Sequence, residues 1–130
     1  MKEKFEMIKN CLYEMNMQIL SEDPAEELVV VDDEENGIKN MIIDCEAPIV
    51  VIEQGIMKIS DNIPGVFKRI LQINRNIVHG AFVLDETGEN LIFRDTLQLE
   101  NLDRNELEAS IRSLSLALSE YSNELLLFIS

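Results

Sequence analysis

The chain has no tryptophan, one histidine, two cysteines, three prolines and five glycines in 130 residues, and 11 basic residues stand against 25 acidic ones. Each scarcity excludes a class of function. One histidine and two cysteines far apart supply no His/Cys cluster for a metal. Nor do they supply a nucleophile paired with a base, so no catalytic residues are expected. The formal charge of −14 argues against nucleic acid, because phosphate binding needs a basic stripe. No run approaches the ~18 apolar residues that span a bilayer, so no membrane insertion is expected. The first ten residues, MKEKFEMIKN, set acids where a secretory signal needs an apolar stretch. Cys11 and Cys45 share no CxxC spacing and read as two reduced thiols of a soluble cytoplasmic protein. The glycines form neither GxxxxGK nor GxGxxG, which leaves no phosphate-cradling loop and no implied cofactor.

What is present is an ordinary globular composition, 46% hydrophobic, without repeat, linker or low-complexity segment. The length bounds the chain to one domain, residues 1–130. Size scaling leaves roughly 7,000 Å² exposed of about 21,600 Å² in the unfolded chain, so a core forms without staples. The charge is uneven. Residues 49–80 hold two acids and four bases, a balance of +2, whereas residues 25–48 hold eight acids and one lysine, a balance of −7. An acidic surface keeps a protein soluble, and the less acidic middle segment is where a partner or second subunit would approach.

Hydrophobic spacing gives eight elements. Phe5, Ile8, Leu12, Met15 and Ile19 predict an amphipathic helix over 2–20, broken by Ser21 to Pro24. Leu28–Asp32 and Ile38–Cys45 read as strands around a turn ending in Asn36-Gly37, two residues that tolerate positive φ. A third strand over Ile49–Ile52 continues towards Ile59, with Gly55 as a bulge. Pro64 opens a second helix running to Asn74. Two more strands surround Glu86-Thr87-Gly88-Glu89, placing Phe82, Leu84, Leu91, Phe93, Leu97 and Leu99 on buried faces. Asp103 and Glu106 form a capping box, and Leu102 and Leu107 a hydrophobic staple, for a last helix reaching Leu126. Its seam is Leu107, Ile111, Leu114, Leu118, Tyr121 and Leu125. Short loops mean antiparallel pairing, so the expected class is α+β in the order α-β-β-β-α-β-β-α, with helices covering one sheet.

Few residues invite chemistry. His79 has no positioned partner and reads as structural. Asp44 and Glu46 flank Cys45 and raise its thiol pKa, against a reactive thiolate. Asp32, Glu34, Asn36 and Gly37 fit positions 1, 3, 5 and 6 of a calcium loop. Position 12, where a bidentate acid is due, is Ile43, so a solvated turn is expected and no metal. The six methionines, with Met1, Met7, Met15 and Met17 early in the chain, read as core filler, although adaptable binding surfaces also favour methionine.

The segment from Leu71 to Tyr121 carries a family likeness. A helix ending in Asn74 leads into a Gly-x-Phe-x-Leu-Asp strand at Gly80 to Asp85; a glycine turn follows, then Leu91-Ile92-Phe93-Arg94, then Leu102-Asp103 opening the last helix. This pattern, with the low pI and element order, resembles the class I type III secretion chaperones and the YbjN-like proteins that share their fold. The resemblance implies a non-enzymatic homodimer whose apolar patches hold an extended segment of a partner protein. It also implies pairing through the helix between the third and fourth strands, here Pro64 to Arg75. Val66, Phe67, Lys68, Arg69 and Ile70 are accordingly the candidate partner or dimer contacts. The alternative is a small-molecule or regulatory sensor with a pocket between sheet and helices.

Overall fold

A computed structural model describes residues 2–130; Met1 lies outside them. Nine main elements follow in order: α1 (Lys2–Glu14), β1 (Gln18–Asp23), β2 (Leu28–Asp33), β3 (Ile38–Glu46), β4 (Ile49–Lys58), α2 (Val66–Asn74), β5 (Ala81–Leu84), β6 (Asn90–Gln98) and α3 (Arg104–Leu126). The strands form one antiparallel sheet in the order β1-β2-β3-β4-β6-β5. The class is α+β, as the patterning requires, but the element order gains a strand.

That strand is β1, which begins inside the helix expected over 2–20 and runs on through Asp23 into the segment expected to be a break. The helix stops at Glu14, and Asn16 takes φ 60°, a left-handed conformation that asparagine tolerates better than most residues. The chain then reverses and pairs with β2, Gln18 against Asp32 and Ile19 against Val31. Met15, Met17 and Ile19 fit the helical stripe only in part. Met15 and Met17 are buried in the turn that ends α1, where their N–H groups bond back to the Cys11 and Leu12 carbonyls, and Ile19 is the one residue of the stripe that enters the strand.

The β2–β3 turn differs from expectation in one residue. Gly37 is left-handed, at φ 77°, but Asn36 closes a short 3-10 turn over Glu34–Asn36. Gly55 does begin an irregularity: the β4–β6 register shifts between Gly55 and Met57. Pro64 precedes α2 by two residues, and Gly65, at φ 78°, is its N-cap.

Alternation decides which side of the sheet is covered. Val29, Ile43 and Ile52 lie in one register row, and Gln54, Phe93 and Phe82 in another. All six are buried, and the five apolar ones cluster with Phe5, Ile8 and Leu12 of α1, Val66, Ile70 and Ile73 of α2, and Leu107, Ile111 and Leu114 of α3. The opposite face presents the row Val30, Ile42, Glu53, Arg94 and Ala81, where Arg94 and Glu53 form an ion pair. Helix α3 begins as its sequence requires. The Asp103 carboxylate accepts the Glu106 N–H at 2.8 Å, and Leu102 and Leu107 are both buried. Leu84 and Leu97 point to the helix side as expected, yet Leu97 is half-buried and Leu84 exposed, because β5 is a four-residue edge strand.

Gly80 makes the α2–β5 connection possible. It has φ 78°, and a Cβ there would lie 2.5 Å from Phe93 Cζ and 3.0 Å from the Arg94 carbonyl oxygen. Gly80→Ala is therefore expected to cost more than about 2 kcal/mol, combining backbone strain with a displaced core ring. Asp103→Ala removes only the cap and should cost about 1 kcal/mol. Urea unfolding of both variants checks the order.

Candidate functional site

Helix α2 divides its residues between two environments. Val66, Ile70 and Ile73, at i, i+4 and i+7, turn into the core; Val66 and Ile70 keep 2% and 5% of their surface. Two of the five expected contact residues are thus interior packing in the folded chain. Phe67 and Lys68 face outwards, Phe67 at 38% exposure, and Leu71, 69% exposed on the same side, is not among the five expected contacts. The signal was available, since Leu71 follows Phe67 by four residues and shares its face. Arg69 lies between the two groups. Its Nη2 donates to Glu124 Oε1 at 2.9 Å while Nε donates to the other carboxylate oxygen, and its guanidinium carbon stands 6.0 Å from the Tyr121 ring centre. This pairing raises the Arg69 pKa and lowers that of Glu124. It ties α2 to α3, so Arg69 is engaged within the fold and Lys68 is the cation left facing outwards.

Beyond α2, the polypeptide enters β5 through side chains that bind backbone. The Asn74 carboxamide donates to the Phe82 carbonyl at 2.9 Å and accepts the Phe82 N–H at 2.8 Å. The Ser113 hydroxyl likewise accepts the His79 N–H at 3.1 Å and donates to the His79 carbonyl at 2.7 Å. His79 is held by its main chain, with its side chain exposed. Between α2 and β5 lies a hollow of about 330 Å³ lined by Phe67, Ile70, Leu71, Asn74, Phe82, Val83, Leu84 and Leu91. Seven of these eight side chains are apolar. Leu84, 41% exposed, forms its rim on the strand side.

The remaining candidates belong to the fold. The acids of the β2–β3 turn serve that turn: Asp32 accepts the Asn40 N–H at 2.7 Å, and Asp33 accepts from the Asn36 side chain at 2.8 Å. Among the described residues no group of three or more His, Cys, Asp or Glu side chains is placed to hold a metal. Burial pushes the Cys45 thiol up to about 11, with the charges of Glu27 and Asp44 adding to it. The Cys11 thiol is raised by burial as well, and its Sγ lies 3.6 Å from Met7 Sδ. Asp85, at the β5–β6 turn, is held down at about 2 by hydrogen bonds from the Asn90 and Thr87 side chains.

Two measurements follow from these shifts. A thiol pKa raised in the folded state favours the neutral thiol, so Cys45 is expected to resist iodoacetamide at pH 8 and to react once the chain is unfolded. The Asp85 shift has the opposite sign. A carboxyl depressed to about 2, against an unfolded value of about 3.9, stabilises the fold above pH 4, and the effect fades as pH falls towards 2. Asp85→Asn should flatten that part of the stability–pH curve and leave the alkaline side unchanged.

The fold has counterparts of known structure. A chain of the ExsC–ExsE complex superimposes with a TM-score of 0.69 at 16% identity, covering 95% of this chain and 93% of that one. YbjN from E. coli gives 0.66 at 13% identity, covering 92% of each chain. The Yersinia pestis type III secretion chaperone SycH, solved with a stable fragment of YscM2, gives 0.58 at 11% identity, covering 89% of this chain and 98% of that one. No curated protein matches the sequence significantly. The CesT_Tir_1 family profile matches residues 1–130. The chain therefore belongs to the CesT_Tir_1 family and has the fold shared by type III secretion chaperones and YbjN.

Proposed function

We propose that the chain is a chaperone-type protein-interaction module without enzymatic activity. It works in the cytoplasm as one domain, residues 1–130, and as a homodimer, and it holds an extended segment of a partner protein on exposed apolar surface. The observation that carries this reading is the outward side of α2, where Phe67 and Leu71 stand beside Leu84 around an apolar hollow. Apolar side chains clustered around a groove are what a protein–protein contact uses. Two of the solved proteins with this fold, ExsC–ExsE and SycH with its YscM2 fragment, are complexes with another protein. That supports a protein partner for this chain.

Charge supports the same side of the molecule. A homodimer carries −28, twice the charge of the chain, and like charges oppose association. Self-contact is therefore favoured where acids are fewest, in residues 49–80, which contain α2. The alternative of a small-molecule sensor needs convergent polar groups facing a pocket. Among the described residues the buried polar side chains are Gln54, Ser110 and Ser113, and each already has partners. Gln54 bridges the Lys39 N–H and the Gly37 carbonyl, Ser110 donates to Asp95, and Ser113 brackets His79.

Leu71→Asp places a charge on this face at an exposed position, so circular dichroism should be unchanged. Light scattering should show the mass of the variant at half that of the wild type. Lys68→Glu should weaken association in the same direction; a mass unaffected by both changes rejects the α2 interface. Affinity capture of tagged protein from native lysate tests the partner. One dominant protein held by the wild type and lost with Leu71→Asp supports the reading, and recovery of a bound small molecule with no protein overturns it.

A further inference from the structure

The sheet has two edges, and they are guarded differently. An exposed edge offers unpaired N–H and C=O groups to any strand that arrives, and proteins blunt such edges with charge or by covering them. The β1 edge is charged: Glu22 and Asp23 lie in the strand, and Glu26 in the turn after it. A second copy of a chain at −14 is repelled there. The β5 edge has no such guard. Ala81-Phe82-Val83-Leu84 contains no charge, it pairs only with β6, and it adjoins the apolar hollow bounded by Phe67 and Leu71. By composition β5 is the edge at which two copies of this chain would join.

We propose that Asn74 is the cap of this edge. Its carboxamide gives the Phe82 carbonyl a donor and the Phe82 N–H an acceptor, at 2.9 Å and 2.8 Å, as a neighbouring strand would. The last residue of α2 thus fills the middle of a four-residue edge and keeps a second β5 from pairing with it. A short polar side chain at this position is a requirement of solubility as well as of folding. The cap acts independently of whether the protein pairs through α2.

Asn74→Ala removes both hydrogen bonds. The expected result is a mass that rises with protein concentration towards twice that of the wild type, as symmetric edge pairing would give. Exchange of the Phe82 amide should also accelerate roughly tenfold at concentrations too low for association, the effect of losing one hydrogen bond. Adding Ala81→Glu, a change in the same edge strand but outside the hollow, should restore the wild-type mass by charging the edge. Asn74→Asp keeps the acceptor for the Phe82 N–H and should lie between the two, which covers failure of the alanine variant to fold. Ile73→Val, a core change of modest cost, controls for general destabilisation and should not associate. Unchanged Phe82 exchange in Asn74→Ala, association equal to that of Ile73→Val, or a mass that Ala81→Glu does not lower would each overturn the proposal.

Discussion

A backbone that leaves a hydrogen-bonded ladder must still satisfy its N–H and C=O groups, and this requirement fixes the part of the molecule between α2 and β5. Within nine residues the chain ends a helix, turns through Gly80 and enters an edge strand. Asn74 binds the main chain of Phe82, and Ser113 of α3 binds that of His79. Gln54 does the same for the β2–β3 turn by bridging Gly37 and Lys39. Each is a side chain standing in for a missing strand. Because such groups are buried or half-buried, an unsatisfied one would cost about 1–3 kcal/mol, and the local geometry has little freedom. The outward face of α2 is positioned by these bonds and by the Arg69–Glu124 pair.

Electrostatics and packing then separate the surfaces. The acids concentrate in residues 25–48, which form β2, β3 and the turns around them. Residues 49–80, which hold α2, are slightly basic. On that slightly basic segment a second acidic chain would meet less repulsion than elsewhere, and Phe67 and Leu71 are the exposed large apolar side chains of α2. The sheet edges follow the same logic, one protected by carboxylates and the other by a carboxamide.

Much of the architecture could be read directly. The Asp103 N-cap on the Glu106 N–H, the irregularity after Gly55 and the inward stripe of α3 appear where spacing put them. The failures have local causes. Strand β1 was hidden because Ile19 continues the helical stripe of α1 by spacing, and only its pairing with Val31 of β2 puts it in a strand. For the candidate surface, five consecutive residues from Val66 to Ile70 cannot all face one way on a helix; three or four turn sides over one turn. Leu71, one residue beyond Ile70, completes the outward face with Phe67.

By itself the sequence determined the class of fold, the acidic surface and the chemistry that is scarce, because these depend on composition and short-range periodicity. It also carried the pattern around Asn74, Gly80 and Phe82 on which the family likeness rests. Only the tertiary structure decided what that pattern is for. Asn74 and Phe82 are eight residues apart, and their two hydrogen bonds exist because Gly80 folds β5 back against α2. Burial of Val66 and Ile70, engagement of Arg69 by Glu124 fifty-five residues away, and exposure of Leu71 depend equally on what packs against α2. Such long-range pairings leave no periodic trace in the chain, since the partner of a side chain is set by the fold and not by its neighbours in sequence.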